Sequence, residues 1–107
     1  ATRIENRVGD PAANPYLYLG SQIIAGLSGI DQALHPSVAT ETPYDSPAPA
    51  LPASLMEAIA AFRSDSVFRE ALGTCVSDYL LTIKEAEVAR FLSEVTDWEQ
   101  REYFSLY

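Results

Sequence analysis

The sequence predicts a mainly α-helical chain, with about four to five helices behind one short N-terminal strand. Three observations carry this expectation. Apolar residues recur at three- and four-residue spacing in several windows, and helix-capping patterns stand in front of those windows. Alternation suited to a strand occurs at Arg3-Ile4-Glu5-Asn6-Arg7, and no hairpin or second strand pattern follows it.

Successive side chains of a strand point to opposite faces, so Arg3, Glu5 and Arg7 share one face and Ile4 and Asn6 the other. Two guanidinium groups then flank one carboxylate. Taken alone, this is a surface ion-pair ladder, contributing a few tenths to about 1 kcal/mol per pair. A lone strand leaves its backbone donors and acceptors unpaired. We therefore expect this chain, which opens at Ala1 without a Met, to be a C-terminal fragment whose first strand joins a sheet encoded upstream.

Gly9-Asp10-Pro11 predicts a turn, because glycine tolerates positive φ, aspartate bonds its own backbone and proline fixes φ. Asn14 is placed as an N-cap, with Pro15 at the first helical position, where the missing N–H costs nothing. Tyr16, Gly20, Ile23, Leu27, Ile30 and Leu34 form one apolar stripe, so residues 1–34 read as strand, turn and long helix. Gly20, Gly26 and Gly29 each cost that helix about 1 kcal/mol relative to alanine. Such a cost predicts that another backbone approaches closely.

His35-Pro36 stops the helix, and prolines 36, 43, 47, 49 and 52 make residues 35–53 an extended surface loop. His35 is the only histidine and reads as a helix-end cation, without chemistry. Residues 54–107 form a helical tail. It opens on a Ser54-Leu55-Met56-Glu57 capping box, with Leu55, Ile59 and Phe62 as the buried stripe. A short helix is expected from near Ser66 to Gly73, with Val67, Phe68, Ala71 and Leu72 apolar and Gly73 in the left-handed position past its end. A longer one runs from about Cys75 to Val95, with Val76, Leu80, Ile83, Phe91 and Val95 inward and Lys84, Glu85, Arg90 and Glu94 outward. Thr96-Asp97-Trp98-Glu99 is a second capping box, and Trp98, Tyr103 and Phe104 behind it read as core. Glu85 with Glu87 does not share a helix face, and Glu99 with Glu102 sits beside Arg101, so both pairs read as solvated surface.

Composition excludes several classes of partner. Seven Lys plus Arg against fifteen Asp plus Glu leave a net charge of −8, the wrong sign for nucleic acid or an anionic membrane. No apolar run approaches the roughly 20 residues that span a bilayer. Cys75 is the only cysteine, so no internal disulfide forms and a reduced, cytoplasmic setting is expected.

Arg3-Ile4-Glu5-Asn6-Arg7, Asp10-Pro11-Ala12-Ala13-Asn14-Pro15-Tyr16-Leu17 and Ala25-Gly26-Leu27-Ser28-Gly29-Ile30 together resemble the C-terminal part of the catalytic domain of the glutamine synthetase family. Leu51-Pro52-Ala53-Ser54-Leu55, Leu72-Gly73 and Asp97-Trp98-Glu99 extend the resemblance over essentially the whole chain. Asn6 and the ending Trp98-Glu99-Gln100-Arg101-Glu102-Tyr103-Phe104 are most similar to the γ-glutamylputrescine, or polyamine, synthetase branch.

The resemblance implies that these helices belong to a larger α+β catalytic domain of an ATP-dependent glutamate–amine ligase of nitrogen metabolism. It implies two steps, phosphorylation of L-glutamate to γ-glutamyl phosphate and attack by an amine, with Mg²⁺ or Mn²⁺ as cofactor and ATP as co-substrate. Carried over residue by residue, Glu5 is a metal ligand, Arg7 a catalytic group that holds glutamate and the transferring phosphoryl group, and Arg3 a neighbour of the ATP phosphates. The residue types suit these tasks, since hard cations prefer carboxylate oxygen and guanidinium forks match phosphate. The remaining ligands are implied upstream and in a neighbouring subunit of a homo-oligomeric ring, so the fragment alone is expected to be inactive. Tyr44 lies roughly where some bacterial members carry a tyrosine that receives an adenylyl group. This loop departs from theirs in length and composition, and an ordinary exposed tyrosine is the stronger reading. Two alternatives stay open: a helical assembly module using Trp98, Tyr103, Phe104 and Tyr107, and a catalytically dead homologue in which Arg3, Glu5 and Arg7 are only a ladder.

Overall fold

A computed structural model of the chain describes residues 2–45 and 47–106. It contains the helices α1 (Pro15–Asp31), α2 (Leu55–Ser64), α3 (Ser66–Leu72), α4 (Thr74–Ser93) and α5 (Asp97–Tyr103), with a single 3₁₀ turn at Pro43–Asp45. The chain divides into two compact units, Ala1–Ser46 and Pro47–Tyr107. The expected mainly helical class is what the structure has.

In the first unit, the expected strand at Arg3–Arg7 is not formed among the described residues. A ladder needs a second segment to supply donors and acceptors, and none pairs with this one. Asn14 caps α1 as expected, its Oδ1 accepting from the N–H groups of Tyr16 at 3.0 Å and Leu17 at 3.3 Å. The helix ends three residues before Leu34. Ala33 adopts a left-handed φ of 50°, and the Leu34 N–H reaches back to the Gly29 carbonyl at 2.9 Å, a closure that satisfies the last turn before His35-Pro36 is reached.

The glycine expectation is not met within the described residues. A Cβ on Gly20, Gly26 or Gly29 would meet open space, and the stripe of Ile23, Leu27 and Ile30 stays exposed. No backbone approaches these glycines among the described residues. Gly9 is the glycine whose lack of a side chain is used: a Cβ there would lie 2.5 Å from the Tyr18 ring. Gly9 needs space rather than positive φ, which the described residues adopt only at Ala33 and Gly73.

In the second unit, α2 and α3 pack on α4 and on each other. Asp65 joins the first two: its backbone N–H closes α2 on the Ala61 carbonyl at 3.1 Å while its Oδ1 caps α3 at the Phe68 N–H, 2.7 Å away. Gly73, with φ 79° and ψ 156°, turns the chain from α3 directly into α4. That is positive φ as expected, but with an extended ψ outside the left-handed helical well.

The core lies on a different face of α4 from the one expected. Ser77 is fully buried and Leu81 is 5% exposed, while Val76, Ile83 and Phe91 stay exposed. The helix is apolar on more than one side, so spacing alone does not choose between faces. Packing chose the face carrying Ser77, whose small side chain lets α3 approach and whose hydroxyl donates to the Arg69 carbonyl at 3.4 Å. Two ion pairs frame it, Arg69 with Asp78 at 3.0 Å and Arg63 with Glu85.

Capping at Ser54 is a variant of the expected box. Its Oγ accepts from the Glu57 N–H at 3.1 Å, but the Glu57 carboxylate takes the Ala53 N–H, 2.8 Å away, instead of that of Ser54. The Thr96 box is complete: Thr96 Oγ1 accepts from the Glu99 N–H, and Glu99 Oε2 accepts from the Thr96 N–H at 2.7 Å. The aromatics behind it are exposed rather than core, and α5 packs on none of the other helices of its unit. Trp98 and Tyr103 instead meet each other edge to face, with ring centroids 6.1 Å apart. Tyr107 lies outside the described residues.

The Thr96 backbone N–H and hydroxyl hold the Glu99 carboxyl below its ordinary value of 4.5. A group whose folded pKa is depressed contributes stability that is present above the unfolded value and lost as pH falls through the folded one. Fluorescence of Trp98, the sole tryptophan, should therefore change as pH falls below about 4.5. Glu99→Gln keeps an acceptor at this position and should remove that pH response. A wild-type signal flat from pH 6 down to about pH 3 would contradict the assignment.

Candidate active-site edge

The three charged residues singled out in the sequence come together in the structure. Glu5 Oε1 accepts from Arg7 Nε at 2.6 Å, and Glu5 Oε2 accepts from Arg3 Nη2 at 3.3 Å. Each carboxylate oxygen thus has its own guanidinium, and the row keeps one net positive charge on a chain of net charge −8. Both arginine side chains are well exposed and Glu5 is about half exposed, at 44%. Exposed pairs of this kind contribute about 0–1 kcal/mol to stability, too little for the row to be what holds this segment in shape.

What holds the segment is its other face, which the sequence did not reveal. Asn6 Nδ2 donates to Gln22 Oε1 at 2.8 Å, while Asn6 Oδ1 accepts from the Val8 N–H at 2.9 Å. The Tyr18 hydroxyl donates to the Asn6 carbonyl at 3.5 Å, and the Tyr18 ring lies over Gly9. Asp10 then closes the turn, its Oδ1 accepting from the Ala12 N–H at 2.7 Å and its carbonyl from the Ala13 N–H at 3.0 Å. Tyr18 and Gln22 are one helical turn apart on α1, so a single face of the helix receives Asn6 and Gly9. The available signals were the place of Asn6 opposite Glu5 in the alternation and the i, i+4 spacing of Tyr18 and Gln22.

A carboxylate can offer oxygen to a hard cation, and two guanidinium groups can hold phosphate or carboxylate oxygens. Divalent cations of this type take six or more oxygen ligands. Among the described residues no group of three His, Cys, Asp or Glu side chains gathers to hold a metal. Glu5 therefore fits as one ligand of a site and not as a whole one. Both of its oxygens are engaged by arginine here, so holding a cation requires at least one pair to loosen.

Tyr44 sits in the 3₁₀ turn with its side chain fully exposed. Cys75 is a free, exposed thiol. Among the described residues no helix is long and apolar enough to cross a membrane.

Comparison with known proteins gives the row a context. A family model described as glutamine synthetase, catalytic domain, matches residues 1–103. A gamma-glutamylanilide synthase of an Acinetobacter species is 44% identical over 118 aligned residues, covering 99% of this chain and 24% of that protein. A glutamine synthetase of Vibrio alginolyticus is 37% identical, covering 99% and 25%, and one of Methanococcus maripaludis is 34% identical, covering 98% and 26%. The chain spans about a quarter of the length of the curated relatives it matches. With the family model matching residues 1–103 and relatives matching 98–99% of its length, the chain belongs to the glutamine synthetase catalytic-domain family.

Proposed function

We propose that this chain is the C-terminal part of the catalytic domain of an ATP-dependent ligase that joins an amine to the γ-carboxylate of L-glutamate through γ-glutamyl phosphate. The observation that carries the reading is the Arg3–Glu5–Arg7 row, one carboxylate with a guanidinium at each oxygen. Coverage of about a quarter of each relative supports the view that the rest of the site lies on other segments of the ligase. By the same reading this chain alone is inactive.

In this assignment Glu5 would be one oxygen ligand to Mg²⁺ or Mn²⁺. When bound, the cation neutralises the charge of the ATP polyphosphate and of the phosphoryl group in flight. Arg7 is the catalytic arginine, holding the substrate glutamate and stabilising charge on the transferring phosphoryl oxygens, and Arg3 binds the ATP phosphates. The guanidinium planes suit this, since they present paired donors and remain charged at any working pH. Were Glu5 to hold a cation, Arg3 and Arg7 would be free to bind anionic ligands. The exposed row can make this exchange at little cost, because each pair is only weakly stabilising in water.

For the acceptor we infer an organic amine rather than ammonia. The support is the 44% identity to a gamma-glutamylanilide synthase, against 34–37% for the two relatives named glutamine synthetase above, together with the polyamine-branch resemblance of Asn6 and residues 98–104. The ligase acts as a homo-oligomeric ring, and the exposed apolar face of α1 and the aromatics of α5 are surfaces available for packing. A cytoplasmic location, a Tyr44 that is not a regulatory target, and the absence of nucleic-acid or membrane partners complete the proposal.

The test is phosphate release from ATP by the complete ligase with glutamate and a panel of ammonia, putrescine and aniline. Release should require Mg²⁺ or Mn²⁺ and glutamate, and an organic amine should outperform ammonia in kcat/KM by at least about tenfold, or about 1.4 kcal/mol. Preference for ammonia would overturn the acceptor, and no metal-dependent release with any amine would overturn the ligase in favour of a dead homologue.

A further inference from the structure

Tyr18 and Gln22 are left unused by the reading above, and Asn6 enters it only as a mark of the branch, yet these three residues make the direct contacts between the charged segment and α1. We propose that the Asn6–Gln22 hydrogen bond sets the position of Glu5, so that Asn6 and Gln22 are positioning residues for the metal and phosphate edge; the inference rests on the proposed ligase function.

The geometry is specific. One Asn6 amide does two jobs: Oδ1 takes the Val8 N–H at 2.9 Å and shapes the segment's own turn, while Nδ2 anchors it to Gln22 at 2.8 Å. The two bonds use opposite ends of one planar group, so the amide cannot rotate without losing both. The Tyr18 hydroxyl at the Asn6 carbonyl, 3.5 Å away, and its ring over Gly9 limit sliding along α1. With Asn6 tied to the helix, Glu5 is left to bond its neighbours Arg3 and Arg7. The arm has no strand partner among the described residues, so these side-chain contacts are what orient it. Groups that orient a ligand without touching the metal commonly change affinity or activity 10- to 100-fold when removed.

Gln22 is exposed and its replacement spares the core, so fold and function can be separated. In the complete ligase, Mn²⁺ binding is followed by electron paramagnetic resonance of the free ion, and kcat and KM for ATP and glutamate are measured alongside. Gln22→Leu should weaken Mn²⁺ binding and lower kcat, each by about tenfold, with the unfolding midpoint unchanged. Gln22→Glu, which keeps an acceptor for Asn6 Nδ2, should recover most of both. Asn6→Ala should lose at least as much as Gln22→Leu, because it also removes the acceptor for the Val8 N–H, and the double variant should be no worse than Asn6→Ala, which already breaks the bond to Gln22.

If Gln22→Leu retains wild-type Mn²⁺ binding and kcat while Glu5→Gln loses them, the positioning inference falls and the ligase reading stands. If Glu5→Gln also leaves Mn²⁺ binding and activity intact, both fall. Additive losses in the double variant would likewise overturn the shared-bond assignment.

Discussion

Replacing Glu5 by glutamine is expected to lower metal-dependent phosphate release by the complete ligase about 10²- to 10³-fold, the loss typical of removing one preorganised group that stabilises developing charge. Glutamine keeps the size and one oxygen of the side chain but neither its negative charge nor its second oxygen. The cation then loses a charged ligand, and Arg3 and Arg7 lose the carboxylate that each pairs with, at 3.3 and 2.6 Å respectively. Raising Mn²⁺ should recover part of the rate, because a weakened ligand set shifts metal affinity before it removes the chemistry. Stability should change little, as exposed pairs contribute about 0–1 kcal/mol. A variant with wild-type rate and metal requirement would remove Glu5 from the site and leave the row as a surface ladder.

Leu81→Ala should destabilise the second unit by about 2–4 kcal/mol, measured by denaturant unfolding of the chain followed by circular dichroism. Leu81 is the buried apolar residue of this unit's described core, at 5% exposure, on the α4 face that α2 and α3 cover. The small neighbouring Ser77 cannot move in to fill the cavity, since it is itself fully buried and bonded to the Arg69 carbonyl. Ile83→Ala, on the same helix but 39% exposed, should cost clearly less. Equal losses at the two positions would mean that the core lies on the face originally expected from spacing.

These two residues mark the difference between what was legible in the sequence and what was not. The Glu5 row was legible because strand-like alternation is local: residues two apart share a side whether or not a ladder forms, and the i±2 contacts exist without a strand. Caps were legible for the same reason, since Asn14, Ser54 and Thr96 act on N–H groups two or three residues ahead. Even there, the choice of Ala53 over Ser54 as partner for Glu57 depended on the geometry of the approaching chain.

By itself, then, the sequence determined the helical class, the starts of the helices, the charged row and the family. Tertiary structure decided which face of α4 is core, that the α1 glycines face open space, that the α5 aromatics pair with each other, and that Asn6 is tied to Gln22 sixteen residues away. The physical reason is range. Capping and alternation are set by neighbours within a turn, whereas burial and cross-segment hydrogen bonds depend on which surfaces meet, and a helix apolar on several sides does not announce the face that packing will use.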